Sequence, residues 1–103
     1  MDVSKLTDVE LNRAMIWCYP LWGSIWMVDQ TGAQMIERRG WINSVDYLTD
    51  WNLTMPLAVD NHLDMDFDGE MWRIYGPSAS YSKHKILIRA ICETLVLIAL
   101  EKK

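Results

Sequence analysis

Leu63-Asp64-Met65-Asp66-Phe67-Asp68-Gly69-Glu70-Met71-Trp72-Arg73-Ile74 is the stretch on which the fold turns. Apolar and acidic residues alternate from Leu63 to Asp68, the period of a half-exposed strand. Asp68-Gly69 follows, a preferred two-residue hairpin turn because glycine accepts a positive φ without strain. Pairing Phe67 with Glu70 then sets Trp72 opposite Met65, Ile74 opposite Leu63 and Arg73 opposite Asp64. One register gives the hairpin an apolar inner face and an outer ion pair.

Working outward, Ile25-Trp26-Met27-Val28 and Ala33-Gln34-Met35-Ile36 flank the turn signal Asp29-Gln30-Thr31-Gly32, which predicts an earlier hairpin. Pairing Val28 with Ala33 sets Trp26 across from Met35. Both faces are apolar, so this hairpin is either covered on two sides or offers one face to a partner. Thr7-Asp8-Val9-Glu10 has the form of a capping box. It predicts a helix over 8–18, with Leu11, Ala14, Met15 and Cys18 on one face and Pro20 beyond its end. Ser44 is expected to cap a short helix from about Val45 to Trp51, and Pro56 to open another, Met55 to Asn61. After the loop Gly76–Ser80, Ser82 is expected to cap a long helix from Lys83 to Glu101. In it Lys85, Arg89 and Glu93 form a narrow polar stripe, and the cationic Lys83-His84-Lys85 start opposes the helix dipole. The expected fold is a single α+β domain over 1–103, with antiparallel hairpins packed against the N-terminal helix and the long C-terminal helix.

Composition narrows the function classes. A chain of 103 residues makes one domain. Half of its residues are apolar, and five glycines and three prolines are too few for a disordered chain. Ten Lys and Arg against 14 Asp and Glu leave a net charge of −4, so direct nucleic-acid binding is not expected. The most hydrophobic stretch, Ile86 to Leu100, is broken by Arg89 and Glu93 and is too short for a bilayer span. No apolar segment follows Met1-Asp2-Val3-Ser4-Lys5, so no secretory signal is expected. Cys18 and Cys92 stand apart in apolar surroundings, as buried thiols do in a reducing cytoplasm.

Asp64-x-Asp66-x-Asp68-Gly69 resembles the opening of a calcium loop, but the twelfth position, where a bidentate Glu is needed, is Tyr75. A solvated hairpin face explains these acids better than a metal site. His62 and His84 have no nucleophile at a telling spacing, and no phosphate-binding, zinc-protease or nucleophile-elbow motif is present. The expectation is therefore no catalytic residue, no metal and no cofactor. Six tryptophans are many for this length. Trp72 is expected on the inner face of its hairpin. Trp22, Trp41 and Trp51 fall in connecting segments and are candidates, with Asp64 and Asp66, for a partner surface. A homodimer is a further way to cover exposed apolar area. Two alternatives are an acidic nucleic-acid mimic acting through Asp60, Asp64, Asp66, Asp68 and Glu70, and a small enzyme or metal protein using His62 with nearby acids.

Three segments carry a family resemblance: Leu6-Thr7-Asp8-Val9-Glu10-Leu11-Asn12; Asp46-Tyr47-Leu48-Thr49-Asp50-Trp51-Asn52 with Met55-Pro56-Leu57-Ala58; and Arg89-Ala90-Ile91-Cys92-Glu93 with its Leu-rich tail. In this order they resemble the NinX-type proteins of lambdoid bacteriophages and prophages, small proteins without an assigned activity. The likeness spans about half of the chain; the hairpin Ile25–Ile36 and the acidic strand Asp64–Glu70 fall outside it. It implies an accessory protein in the bacterial cytoplasm that modulates a host or phage protein, with counter-defence as one such role, and it supplies no catalytic residues. The same positions have scaffold readings: Asp50 capping a turn, Trp51 packing beneath it, Pro56 starting a helix.

Overall fold

The computed structural model describes residues 2–19, 25–29, 32–37, 40–77 and 80–101, with the strands between 25 and 44 described by backbone path and register. The chain is an α+β domain. A short 3₁₀ turn at Val3–Lys5 precedes helix α1, Asp8–Cys18. Strands β1 (Ile25–Asp29), β2 (Gly32–Glu37) and β3 (Gly40–Val45) form one antiparallel meander. Helix α2, Trp51–Asp60, leads into a second meander of β4 (Asp64–Phe67), β5 (Trp72–Tyr75) and β6 (Tyr81–His84). Helix α3, Leu87–Glu101, closes the fold.

Local chemistry accounts for the ends of α1 and α2. Thr7 Oγ1 accepts the Glu10 amide at 3.2 Å while Glu10 Oε1 accepts the Thr7 amide at 2.9 Å, so the capping box forms as expected. The buried face of α1 is Leu11, Asn12, Met15 and Ile16, rotated slightly from the expected one: Ala14 and Cys18 are half-buried. The two helices expected over 45–61 are one. Residues 46–49 make a turn in which Asp46 Oδ1 accepts the Leu48 amide at 2.9 Å. Asp50, not Ser44, is the cap of α2, its carboxylate accepting from the Asn52 amide. Ser44 lies in β3, paired with Gln34. Pro56 sits inside α2 rather than in its first turn, on the exposed side.

At the C-terminus of α2 the Leu63 amide reaches the Ala58 carbonyl at 3.2 Å and the His62 amide reaches Val59 at 3.1 Å. This is a Schellman closure, and it requires a left-handed residue, here His62 at φ 54°.

The first hairpin has the expected register, Val28 with Ala33 and Trp26 with Met35. A third strand, β3, joins it through an irregularity between Met35 and Ile36. In the second hairpin the register differs by two residues: Phe67 pairs with Trp72, Asp66 with Arg73 and Met65 with Ile74. The reason is Asp68. Its Oδ1 accepts the Glu70 and Met71 amides at 2.9 and 2.8 Å, and its own amide bonds the Met71 carbonyl, so the loop spans four residues instead of two. Gly69, at φ 102°, supplies the positive φ. A two-residue slip leaves every side chain on its expected face.

Ser82 does not cap the last helix. It lies in β6, and α3 begins at Leu87, after His84 Nδ1 accepts the Ile86 amide at 2.9 Å. Lys83, His84 and Lys85 therefore precede the helix instead of filling its first turn, with Lys83 and His84 in β6. Helix α3 is buried from Ile88 to Val96 and again at Ile98. It contacts α1, α2, β5 and β6, and with Leu11, Met15, Tyr47 and Ile74 it forms the core. A Cβ on Gly76 would come within 2.8 Å of Ile98 Cδ1, so a side chain there would require the end of Ile98 to shift.

Candidate functional site

Two clefts flank α3. One, of about 260 Å³, lies between the start of α1, the turn at 46–49 and the start of α3, with Asp8, Asn12, Asp46 and Arg89 on its walls. The other, of about 340 Å³, lies over Ser82 and Glu93 beside the N-terminal turn. Most of the polar side chains of both are engaged within the fold; among the described residues the Thr49 and Tyr81 hydroxyls are not. Asn12, which is buried, donates through Nδ2 to the Val45 carbonyl at 2.8 Å and accepts the Tyr47 amide at 2.9 Å.

Arg89 and Glu93, expected as part of a narrow polar stripe, are buried. Arg89 Nε donates to Glu93 Oε2 at 2.9 Å, and Ser82 Oγ donates to Glu93 Oε1 at 2.9 Å. The two Nη groups of Arg89 reach Asp8 Oδ1 and the Leu6 carbonyl. The polar stripe became an internal strut because β6 and the N-terminal segment lie over it. A buried pair is tolerable where each remaining donor and acceptor is satisfied, and this one ties β6, the start of α1 and the N-terminal segment to α3.

Burial pushes the Cys92 thiol up to about 12, so it is protonated near neutrality and inert as a nucleophile. Burial likewise pushes the Tyr19 and Tyr47 phenols up to about 12. Their hydroxyls donate to backbone carbonyls, Tyr47 to Tyr19 and Tyr19 to Leu95, each at 2.7 Å. His62 is exposed, its place set by the backbone closure of α2, and neither cleft includes it.

Among the described residues no group of three His, Cys, Asp or Glu is placed to hold a metal ion. The acidic strand shows where its charges go. Asp66 is held bidentately by Arg73, at 2.6 and 2.8 Å. Asp68 serves the turn amides, and Lys83 lies 3.1 Å from its Oδ2. The Met71 and Glu70 amides, with Lys83, hold its carboxyl well below the usual carboxylate range. Asp64, by contrast, is exposed and belongs to none of the ion pairs among the described residues. No family model matches the chain, and neither does any curated protein.

Among the large apolar residues left exposed, three lie together on α2. Trp51 is 42 % exposed and Val59 64 %; with Met55 they stand at i, i+4 and i+8 on one side of the helix, a ridge about 12 Å long. Thr54 and Ala58 face the core from the other side. Trp51 therefore opens α2 and does not lie in a connecting segment. Of the other sequence candidates, Trp22 lies outside the described residues, and Trp41 is placed only through its backbone, opposite Ile36. Asp64 follows the C-terminal end of α2, whereas Trp51 opens it, so the two stand at opposite ends of the ridge. Trp72 is half-buried against the core, with the Phe67 ring 5.1 Å away. Sequence reasoning missed Trp17, 79 % exposed on α1. The signal was available: with Leu11 and Met15 facing inward, a 3.6-residue period turns position 17 outward.

No helix among the described residues is long and apolar enough to cross a membrane.

Proposed function

We propose that the protein is a non-enzymatic accessory protein of a bacteriophage or prophage that acts in the bacterial cytoplasm by binding and modulating a host or phage protein. The observation that carries the binding role is the ridge of Trp51, Met55 and Val59, large apolar side chains left in solvent on a helix whose opposite face is fully used by the core. Tryptophan and methionine are enriched at interface centres because they desolvate a large area. Most polar side chains of both clefts, in contrast, are engaged in internal hydrogen bonds or ion pairs. The phage context comes from the NinX-type resemblance at 6–12, 46–58 and 89–93. These segments contribute the α1 capping box, the Asn12–Tyr47 bonds, the Asp50 cap and the Arg89–Glu93 strut, which gives the motif a structural reason.

Affinity capture from a bacterial lysate, with the chain immobilised and bound protein weighed against it, tests the role. A stoichiometric protein partner is expected. Repeated recovery of nothing above background counts against it.

A further inference from the structure

We infer that the exposed face of α2 is a docking site for an amphipathic helix of a partner protein, apolar along one stripe and basic at its ends. The inference rests on the binding role proposed above and adds the partner's chemistry.

The shape comes first. Trp51, Met55 and Val59 form an i, i+4, i+8 ridge, the kind that seats in the groove of a second helix. Beside the ridge lie Asn52 and Pro56, both exposed. Pro56 has no N–H to give the Asn52 carbonyl, so this helix offers an acceptor on the same face.

The charge is the second observation. From Gly40 to Trp72 the chain has no Lys or Arg. Asp50 stands at the N-terminal end of the ridge, with Asp60 and Asp64 at the other end. None of the three belongs to an ion pair among the described residues. Asp60 ends α2, where the dipole disfavours an acid, so its charge opposes the stability of its own helix. An apolar ridge whose acids at both ends have no cationic partner among the described residues complements a stripe with Lys or Arg at both ends. A second copy of this chain does not fit. An antiparallel pairing of two α2 helices lays Asp50 against Asp60, and a parallel one lays Asp60 against Asp60; like charges meet either way.

The test titrates the intact protein with a synthetic amphipathic peptide bearing a Leu stripe and Lys at both ends, and with a twin carrying Glu in place of each Lys. Backbone amide NMR shifts are the readout. The Lys peptide is expected to give saturable shifts confined to 50–64 and to bind at least about tenfold more tightly than the Glu twin. The double variant Asp60→Lys, Asp64→Lys should reverse that preference without lowering the melting temperature, because Asp60→Lys removes an adverse dipole contact. Val59→Glu, at an exposed position, should abolish the shifts and leave the fold intact. Equal binding of both peptides, or shifts that do not saturate on α2, overturns the inference. So does self-association that Val59→Glu disrupts, which would give the face to a second copy. The lysate capture separates the two levels: if Val59→Glu still recovers the partner of the unaltered protein, the α2 assignment falls and the binding role stands.

Discussion

Replacing Arg89 by Met removes the guanidinium from the strut and keeps an apolar chain of similar length. Glu93, 1 % exposed, would keep only Ser82 as a partner, and the Leu6 carbonyl would lose its donor. Breaking a buried pair in this way costs about 3–5 kcal/mol, because the surviving charge stays buried without compensation. The opposite end of the network is cheap. Asp8 is 74 % exposed, so Asp8→Asn should cost no more than about 1 kcal/mol. Against a total stability of about 5–15 kcal/mol the Arg89→Met loss is large, and equilibrium urea unfolding with a fixed slope reads it directly. The double variant Arg89→Met, Glu93→Leu should recover most of the loss, since an apolar replacement of the whole pair is often neutral or stabilising. A single-variant loss under about 1 kcal/mol, or a double variant no better than the single, would refute the claim that the charges are desolvated.

His62→Gly should stabilise the fold by about 0.5–1 kcal/mol in the same assay, since the residue already sits at φ 54°; a loss would show that the His62 side chain contributes more than its backbone costs. Asn12→Leu should cost about 2–3 kcal/mol, because the Val45 carbonyl and the Tyr47 amide are left unpaired in the core. The pH dependence has a definite sign at both ends. Asp68 has a lowered pKa in the fold, so its contribution is present above its ordinary value of 3.8 and fades as pH falls below that. Cys92, Tyr19 and Tyr47 have raised values, so their contribution is intact below 9 to 10 and is lost as pH rises toward about 12. Unfolding midpoints across the alkaline range should fall over that window, and Cys92→Ala should flatten its lower part.

Much of the fold could be read from the chain because its signals were redundant. Thr7 and Glu10 name the start of α1 twice over, and the turn after Val28 fixes the first register. The second register escaped by two residues because face periodicity is blind to an even slip. Only the hydrogen bonds of Asp68 decide the loop length, and they belong to a side chain whose other reading was a turn corner. β6 was hidden in what looked like a helix start. The cationic run at 83–85 was the clue, since a sequence that places Lys-His-Lys against a helix dipole is marking the helix's absence there. Arg89 and Glu93 read only as a polar stripe, because spacing alone does not report what lies over it. The cover comes from β6 and from residues some 80 positions earlier, a tertiary fact. Of the surface candidates, Trp51 and Asp64 are exposed, and their relation became visible only when two expected short helices proved to be the single helix α2.

The most direct question is whether α2 is where this protein meets another. A photo-crosslinking amino acid placed at Met55, and for comparison at Glu70 on the second hairpin, would test this in living bacteria. The account predicts one covalent adduct of discrete mass from position 55 and none from position 70. Adducts of equal yield from both positions, or an adduct from position 70 alone, would contradict it.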